Sequence, residues 1–297
     1  MLKRKLIVTG FLGFLLLLVA PNLNVVKGEP VDSSLHHPFQ FLTADTSIVQ
    51  TVTDSSFAYA PVEAAPRLEK LAPRITMHRQ AEKFMKDFLR HEAEMLAKVK
   101  ERSPSYFRII DNIFRQYGIP EQMRYLAVVE SYLRTDAVSR VGAKGMWQFM
   151  PQTARDLGLK ITKKYDERTH CYKSTVAAAK YLKDLYREFG DWLLVLAAYN
   201  GGPGTVYKAI HRSGSRNFWA LQNFLPAESR AHVKRFIGTH YYFEGEGSMT
   251  TMTKSETIAY NKALAAFEAQ QAENENEDSE TLPGVLAVGA VAIADKK

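Results

Sequence analysis

The chain has 297 residues, of which 46% are hydrophobic, so it is long enough to bury one substantial core. Its formal net charge is +7, but the Lys and Arg residues are scattered among acidic ones and form no basic helix, which argues against nucleic acid as a partner. The single cysteine, Cys171, excludes an internal disulfide. With no metal-ligand cluster, P-loop or dinucleotide fingerprint in the sequence, we expect neither a metal nor another cofactor.

Residues 1–28 have the layout of an export signal. Lys3-Arg4-Lys5 precede an apolar stretch from Leu6 to Ala20, and small residues follow near Gly28. The alternative is a retained N-terminal anchor, although the apolar stretch is short for a membrane span. Residues 29–72 contain Pro, Ser and Thr with little hydrophobic periodicity, and we interpret them as a linker.

Helical spacing dominates the following segment. Between residues 73 and 103 apolar side chains recur with the period of a helix, which predicts an N-terminal extension that packs on the next domain. Ser103 and Pro104 predict the start of a new helix, because Pro favours the first helical position. That helix is expected to end at Tyr117-Gly118.

One carboxylate, Glu130, ends the next predicted helix, which Pro120 can open. Glu130 lies three residues after Ala127 and seven after Met123, so it shares their apolar stripe. Burial and the negative end of a helix dipole both raise the pKa of a carboxyl group, and a general acid at neutral pH needs that shift. The alternative is a structural Glu whose carboxylate accepts hydrogen bonds from loop amides.

A Gly-rich loop follows, from Gly142 to Pro151. Gly142 and Gly145 permit positive φ and close approach of a ligand. Residues 147–150 offer aromatic rings for stacking, the side-chain amide of Gln148 and the apolar side chain of Met150. This mixture suits sugars, which have apolar faces and polar rims. The alternative is a plain helix-loop-helix with its aromatic side chains in the core. Pro151 then opens a short helix that closes at Gly158.

The third informative element is a helix from Trp192 to Tyr199, with Asp191 as N-cap and Gly201-Gly202 as its stop. Tyr199 and Asn200 therefore lie at a helix end, where polar side chains can point into a cleft. The alternative is an ordinary C-cap with a core Tyr. Further helices are predicted at Ser174 to Phe189, Thr205 to Arg212, Phe218 to Asn223 and Pro226 to Phe243.

Beyond Gly247 the sequence predicts little order. Thr250 to Gln271 can form another helix, but Glu268 to Glu280 contain six acidic residues and no basic one, which is typical of a solvated spacer. Leu282 to Ala294 are apolar and too few to span a bilayer. We therefore interpret residues 248–297 as a largely disordered C-terminal tail.

In order and spacing these motifs resemble the catalytic domain of lytic transglycosylases, most closely the membrane-bound lytic murein transglycosylase D type. The resemblance rests on Glu130-Ser131, on Gly-Ala-x-Gly-x-x-Gln-x-Met-Pro with its Gln eighteen residues after the Glu, and on Ala-Tyr-Asn-x-Gly-x-Gly from Ala198. It runs from about Ser103 to about Glu244.

The resemblance implies a mainly α, lysozyme-like fold with the catalytic domain at residues 104–247. It implies cleavage of the β-1,4 bond between N-acetylmuramic acid and N-acetylglucosamine in peptidoglycan, as a lyase that leaves a 1,6-anhydro ring. Glu130 would protonate the leaving oxygen and then take the proton from the muramyl C6 hydroxyl, so that no second carboxylate is needed. The predicted substrate-binding residues are Ser139, Gln148, Met150, Tyr199 and Glu228, which match family positions, and Asn200 beside Tyr199.

His232 departs from the family pattern, in which Arg-x-Tyr-Val carries a Tyr at this place. We expect the change to alter a contact with the sugar and to leave the acid unaffected. The expected partners are peptidoglycan glycan strands, and the positive charge favours anionic wall or membrane surfaces. The expected location is the periplasm or cell envelope after export, and the sequence indicates no particular oligomeric state.

Two other functions fit the sequence. One is a true hydrolase of the same fold, a muramidase or a chitosanase-like enzyme, in which Asp136 would orient a water if its loop folds back. The other is a non-catalytic wall-binding protein that retains the cleft. The presence of Glu130, Gln148 and Tyr199 argues against the second alternative.

Overall fold

The computed structural model describes residues 72–280. The predicted export signal (residues 1–28), the predicted linker except for its last residue, and the apolar segment from Leu282 to Ala294 lie outside the described residues. Within residues 72–280 the backbone is helical, and extended pairing is limited to three isolated bridges in the loops. The prediction of a mainly α fold is confirmed.

The helices of the described range are α1 (Arg79–Tyr117), α2 (Tyr125–Ser131), α3 (Pro151–Asp156), α4 (Cys171–Phe189), α5 (Trp192–Gly201), α6 (Pro203–Ser213), α7 (Phe218–Leu221), α8 (Ala227–Glu244) and α9 (Lys254–Glu280). Short 3₁₀ turns lie at Glu121–Arg124, Glu167–Thr169, Gln222–Phe224 and Met249–Thr251. Across residues 72–280 no helix is both long and apolar enough to cross a lipid bilayer.

Helix α5 forms the centre of the core. Its residues from Trp192 to Ala198 are all buried, as expected for a helix that is apolar on every side, and it packs against α4, α6 and α8. The predicted N-cap is confirmed, since the Asp191 carboxylate accepts hydrogen bonds from the amides of Leu193 (2.9 Å) and Leu194 (3.2 Å). The fixed position of α5 brings its C-terminal end, with Tyr199, to the site.

The predicted helix start at Ser103-Pro104 is wrong, because α1, which has 39 residues, continues through this point to Tyr117. Pro104 has no N–H for the carbonyl of Lys100, four residues earlier, which would ordinarily leave that oxygen without a partner. The Ser103 hydroxyl supplies the missing hydrogen bond, donating to the Lys100 oxygen at 2.9 Å. The proposed extension and the domain therefore share one helix, with no break at residue 103.

In the C-terminal part, Lys254–Glu280 form helix α9. The sequence predicts a helix within Thr250 to Gln271, but the prediction of a disordered spacer at Glu268 to Glu280 is wrong. The start of α9 is fixed by a capping box. The amide of Glu256 donates to the Thr253 hydroxyl (3.3 Å), and the amide of Thr253 donates to the Glu256 carboxylate (2.7 Å). The amide of Lys254 donates to Asp191 at 2.7 Å, so the ordered body extends past Gly247.

Candidate active site

A cavity lies where the C-terminal ends of α2 and α5 meet the start of α3. Its lining residues are Glu130, Gln148, Phe149, Met150, Thr153, Tyr181, Tyr199, Asn200 and Gly202. The structure thus brings together Glu130, Gln148, Met150, Tyr199 and Asn200, which the sequence places in three separate elements. Across residues 72–280 no group of three or more His, Cys, Asp or Glu side chains is arranged to hold a metal ion.

Glu130 lies on the buried face of α2, as its spacing predicts. Met123 and Ala127 are fully buried, and the Glu130 side chain is only 8% exposed. Its Oε1 lies 2.8 Å from Nε2 of His232, a residue of α8 whose side chain is 3% exposed. The expectation that His232 leaves the acid unaffected is wrong, because the packing of α8 on α2 puts the imidazole in direct contact with the carboxyl group.

Two polar side chains anchor the Gly-rich loop to the rest of the molecule. The hydroxyl of Ser131, next to the acid, donates to the Met146 carbonyl at 2.8 Å. The buried guanidinium of Arg168 donates to the carbonyls of Gly142 (2.8 Å) and Phe149 (2.9 Å). Ser131 belongs to the Glu130-Ser131 motif, but the sequence analysis gave a role to neither Ser131 nor Arg168.

The same anchor explains Asp166 and Gly145. Arg168 also binds both carboxylate oxygens of Asp166, and these hydrogen bonds lower the pKa of Asp166. Gly145 has φ +85°, and a Cβ there would lie 1.9 Å from the Arg168 carbonyl oxygen. Only glycine fits this close approach, so the loop has one tightly specified path.

Gln148 is held by its amide nitrogen. The backbone of Gln148 has φ +49°, and its Nε2 donates to the carbonyls of Gly145 (2.8 Å) and Ala137 (3.2 Å). Because both hydrogens of the NH₂ group are used in this way, the amide oxygen is the part that remains for a ligand. Gln148 therefore enters the cavity as a hydrogen-bond acceptor.

Tyr199 combines packing with a polar contact. Its hydroxyl donates to the Trp147 carbonyl at 2.8 Å, and its ring contacts those of Tyr181 and Phe149, with centroids 5.4 and 6.1 Å away. Burial raises the pKa of Tyr199 well above its ordinary value, and the negative charge of Glu130 adds to the effect. The hydroxyl therefore stays neutral, and the three rings form an aromatic wall.

The remaining predicted site residues have different surroundings. Asn200 lines the cavity, and its Oδ1 accepts a hydrogen bond from Ser229 at 2.9 Å. Ser139 and Glu228 are not among the lining residues. The Ser139 hydroxyl accepts from the amide of Ala143 (2.9 Å) and shapes the loop, while Glu228 forms an ion pair with Arg235.

Trp147 does not offer the stacking surface that the loop sequence suggests. It is fully buried, and its indole N–H donates to the Thr175 hydroxyl at 3.0 Å, so it belongs to the core. Tyr181 contributes an aromatic surface to the cavity instead. The sequence predicted the helix that carries Tyr181, but helical spacing alone does not separate a core position from one at a cavity edge.

Comparison with known proteins identifies the domain. Residues 109–222 match the family model for the transglycosylase SLT domain. The chain is 37% identical over 155 residues to the "Membrane-bound lytic murein transglycosylase D" of Escherichia coli K12, a match that covers 50% of this chain and 34% of that protein. It is 40% identical over 86 residues to the "Peptidoglycan transglycosylase gp16" of Escherichia phage T7, covering 28% of this chain and 6% of the phage protein.

Among solved structures, the 70 kDa soluble lytic transglycosylase of Escherichia coli matches at 27% sequence identity and a TM-score of 0.42, covering 49% of this chain and 26% of that one. This chain spans about a third of the length of the curated Escherichia coli relative. Glu130, the Gly-rich loop and Tyr199 all lie inside the segment that the family model matches. Residues 109–222 are therefore similar to the transglycosylase SLT domain.

Proposed function

We propose that this protein is a lytic transglycosylase that cleaves the β-1,4 bond between N-acetylmuramic acid and N-acetylglucosamine in peptidoglycan and leaves a 1,6-anhydromuramyl end. The observation that carries the proposal is that, within residues 72–280, Glu130 is the only acidic residue that lines the cavity described above. Glycosidases that use an enzyme nucleophile or an activated water generally need two carboxyl groups. Attack by the C6 hydroxyl of the substrate itself needs only one acid/base group.

Glu130 is the catalytic residue of this reaction. It gives its proton to the glycosidic oxygen as the bond breaks and then takes the proton of the C6 hydroxyl as the anhydro ring closes. The amides of Gln148 and Asn200 are neutral polar groups that suit the hydroxyl and N-acetyl groups of the sugar. Phe149 and Met150 provide apolar surface for the flat face of a sugar ring.

The hydrolase alternative is less well supported. Asp136, the candidate for orienting a water, has a side chain that is 79% exposed and forms an ion pair with Arg134 at 3.5 Å. It is not among the residues that line the cavity. The non-catalytic alternative gives no reason for a carboxyl group to be buried beside Gln148 and Tyr199.

The deciding experiment is mass spectrometry of muropeptides released from purified sacculi by the wild-type protein. We expect anhydro ends from the wild type and a loss of activity by a factor of at least ~10² in Glu130→Gln, whose amide can still accept from His232. Asp136→Asn serves as the matched control and should keep wild-type activity. Reducing ends would identify a hydrolase, and no release of soluble fragments would identify a binding protein.

We further propose that the protein acts in the cell envelope after export, on peptidoglycan glycan strands. The support is the predicted export signal at residues 1–28 and the positive net charge, which favours anionic wall or membrane surfaces. N-terminal sequencing of the exported protein should find a new start close to Glu29. Retention of Met1 would favour the anchor instead.

A further inference from the structure

The two ring nitrogens of His232 have different surroundings. Nε2 of His232 lies 2.8 Å from Oε1 of Glu130. The other ring nitrogen, Nδ1, is buried and has no hydrogen-bond partner among the described residues. With both side chains almost inaccessible to solvent, bulk water does not compensate for the missing partner.

This asymmetry selects a tautomer. A neutral imidazole carries its hydrogen on one nitrogen and a lone pair on the other. A hydrogen on Nδ1 would leave a buried N–H donor without an acceptor, which is the more costly kind of unsatisfied group. A hydrogen on Nε2 points instead at the Glu130 oxygen and leaves only a lone pair unpaired. The imidazolium form needs two acceptors and is disfavoured because one of its two N–H groups would have none.

We propose that His232 is a positioning residue that remains the neutral Nε2–H tautomer and donates to Oε1 of Glu130 in both protonation states of the acid. Oε1 is then always an acceptor, and the transferable proton is carried by Oε2. Given the proposed function, on which this inference rests, the proton leaves Oε2 for the glycosidic oxygen, and the proton of the C6 hydroxyl returns to Oε2. His232 itself neither gains nor loses a proton during the cycle.

Two substitutions separate positioning from packing. His232→Gln can place an amide N–H near the position of Nε2, whereas His232→Phe keeps a ring of similar size and removes the donor. We expect His232→Phe to lower kcat on the order of 10²-fold with little change in KM, because a misplaced acid affects the chemical step more than binding. His232→Gln should recover most of kcat. Equal losses in the two variants would overturn the proposal.

The tautomer can be measured directly and without substrate. In the full-length protein labelled with ¹⁵N-histidine, the His232 signal, assigned by its absence in His232→Phe or His232→Gln, should show a hydrogen on Nε2 and none on Nδ1. The same form should persist in Glu130→Gln. A hydrogen on Nδ1, or on both nitrogens, would overturn the proposal even if the wild type produces anhydro ends. An Nε2–H signal in a protein that releases reducing ends would instead refute the transglycosylase function and leave the pairing intact.

Discussion

Tyr199 connects the aromatic wall to the path of the Gly-rich loop. Its hydroxyl binds the carbonyl of Trp147, the residue directly before Gln148, while its ring contacts Phe149 and Tyr181. The hydrogen bond therefore fixes the loop directly before Gln148, whose backbone has a positive φ. A change of one atom at position 199 can move the Gln148 amide without disturbing the core.

Tyr199→Phe should test this connection. The variant keeps the ring packing but leaves the Trp147 carbonyl without its donor, so we expect a loss of unfolding free energy of about 1 kcal/mol together with a clear fall in turnover. Urea unfolding and kinetics on sacculi measure the two effects. Tyr172→Phe is the control, because it removes the hydroxyl of a surface tyrosine that does not line the cavity. A large loss of stability with normal activity would mean that Tyr199 is only a core residue.

His240 should make the stability depend on pH. Burial lowers the pKa of His240 from 6.5 to about 4 in the folded protein. Between these two values the unfolded state binds more protons than the folded state, so stability is complete above pH 6.5 and falls by about 3 kcal/mol as the pH drops towards 4. His240→Gln keeps a hydrogen-bonding partner for the Ser248 hydroxyl and removes the titration. Its unfolding free energy should decline less than that of the wild type between pH 6.5 and 4. Parallel plots of unfolding free energy against pH would contradict the lowered pKa of His240.

At the site, local motifs were predictive and long-range contacts were not. Glu130, Gln148 and Tyr199 could be identified because short motifs fix both their residue type and their place at an element end. The partner of Glu130 could not, since His232 lies 102 residues away and meets it only through the packing of α8 on α2. The departure of His232 from the family pattern was the available signal, but its consequence depended on tertiary structure.

At the scale of elements, α1 contains a sequence signal for a helix start that has no effect on the helix, because a neighbouring side chain compensates for it. Pro104 predicts a new helix, and the Ser103 hydroxyl allows the old one to continue by binding the Lys100 carbonyl. In α9 the error lies in the second half of the helix. The density of acidic residues from Glu268 to Glu280 suggested disorder, but the helix that begins at the Thr253-Glu256 capping box runs on to Glu280.

A double-mutant cycle tests the Ser103 contact. Ser103→Ala alone should cost about 1 kcal/mol of unfolding free energy, because the Lys100 carbonyl loses its donor. Pro104→Ala should stabilise the protein, since it restores a backbone N–H inside the helix. In the Pro104→Ala background Ser103→Ala should cost much less, and urea denaturation measures all four proteins. Strict additivity would show that the hydroxyl does not replace the missing amide.

At the scale of the whole molecule, Asp191 connects the central helix to the C-terminal segment. One of its oxygens caps α5, and the other accepts from the amide of Lys254 at the start of α9. Thr250 and Thr253, between Gly247 and α9, are also buried. The predicted domain end at residue 247 therefore precedes residues that complete the core.

Truncation measures the contribution of this segment. The chain cut after Gly247 should melt several degrees below the chain cut after Thr257, because it loses buried residues and a hydrogen bond to Asp191, together about 2 kcal/mol. Activity per folded molecule should be the same in both, since no lining residue of the cavity is removed. Equal melting temperatures would mean that residues 248–257 contribute nothing to the fold.

Helix α1 also determines how the molecule responds to mechanical load. With 39 residues it is about 58 Å long. Near its N-terminal end the His78 ring stacks on Trp219 at 3.9 Å and Gln80 binds Gln222, whereas Asp111 near its other end holds Arg124, just before α2. Tension applied to the chain before residue 72 therefore reaches the contacts at this N-terminal end before it reaches Asp111. The contacts of His78 and Gln80 can therefore break under load while the part of α1 that packs on the 3₁₀ turn before α2 stays in place.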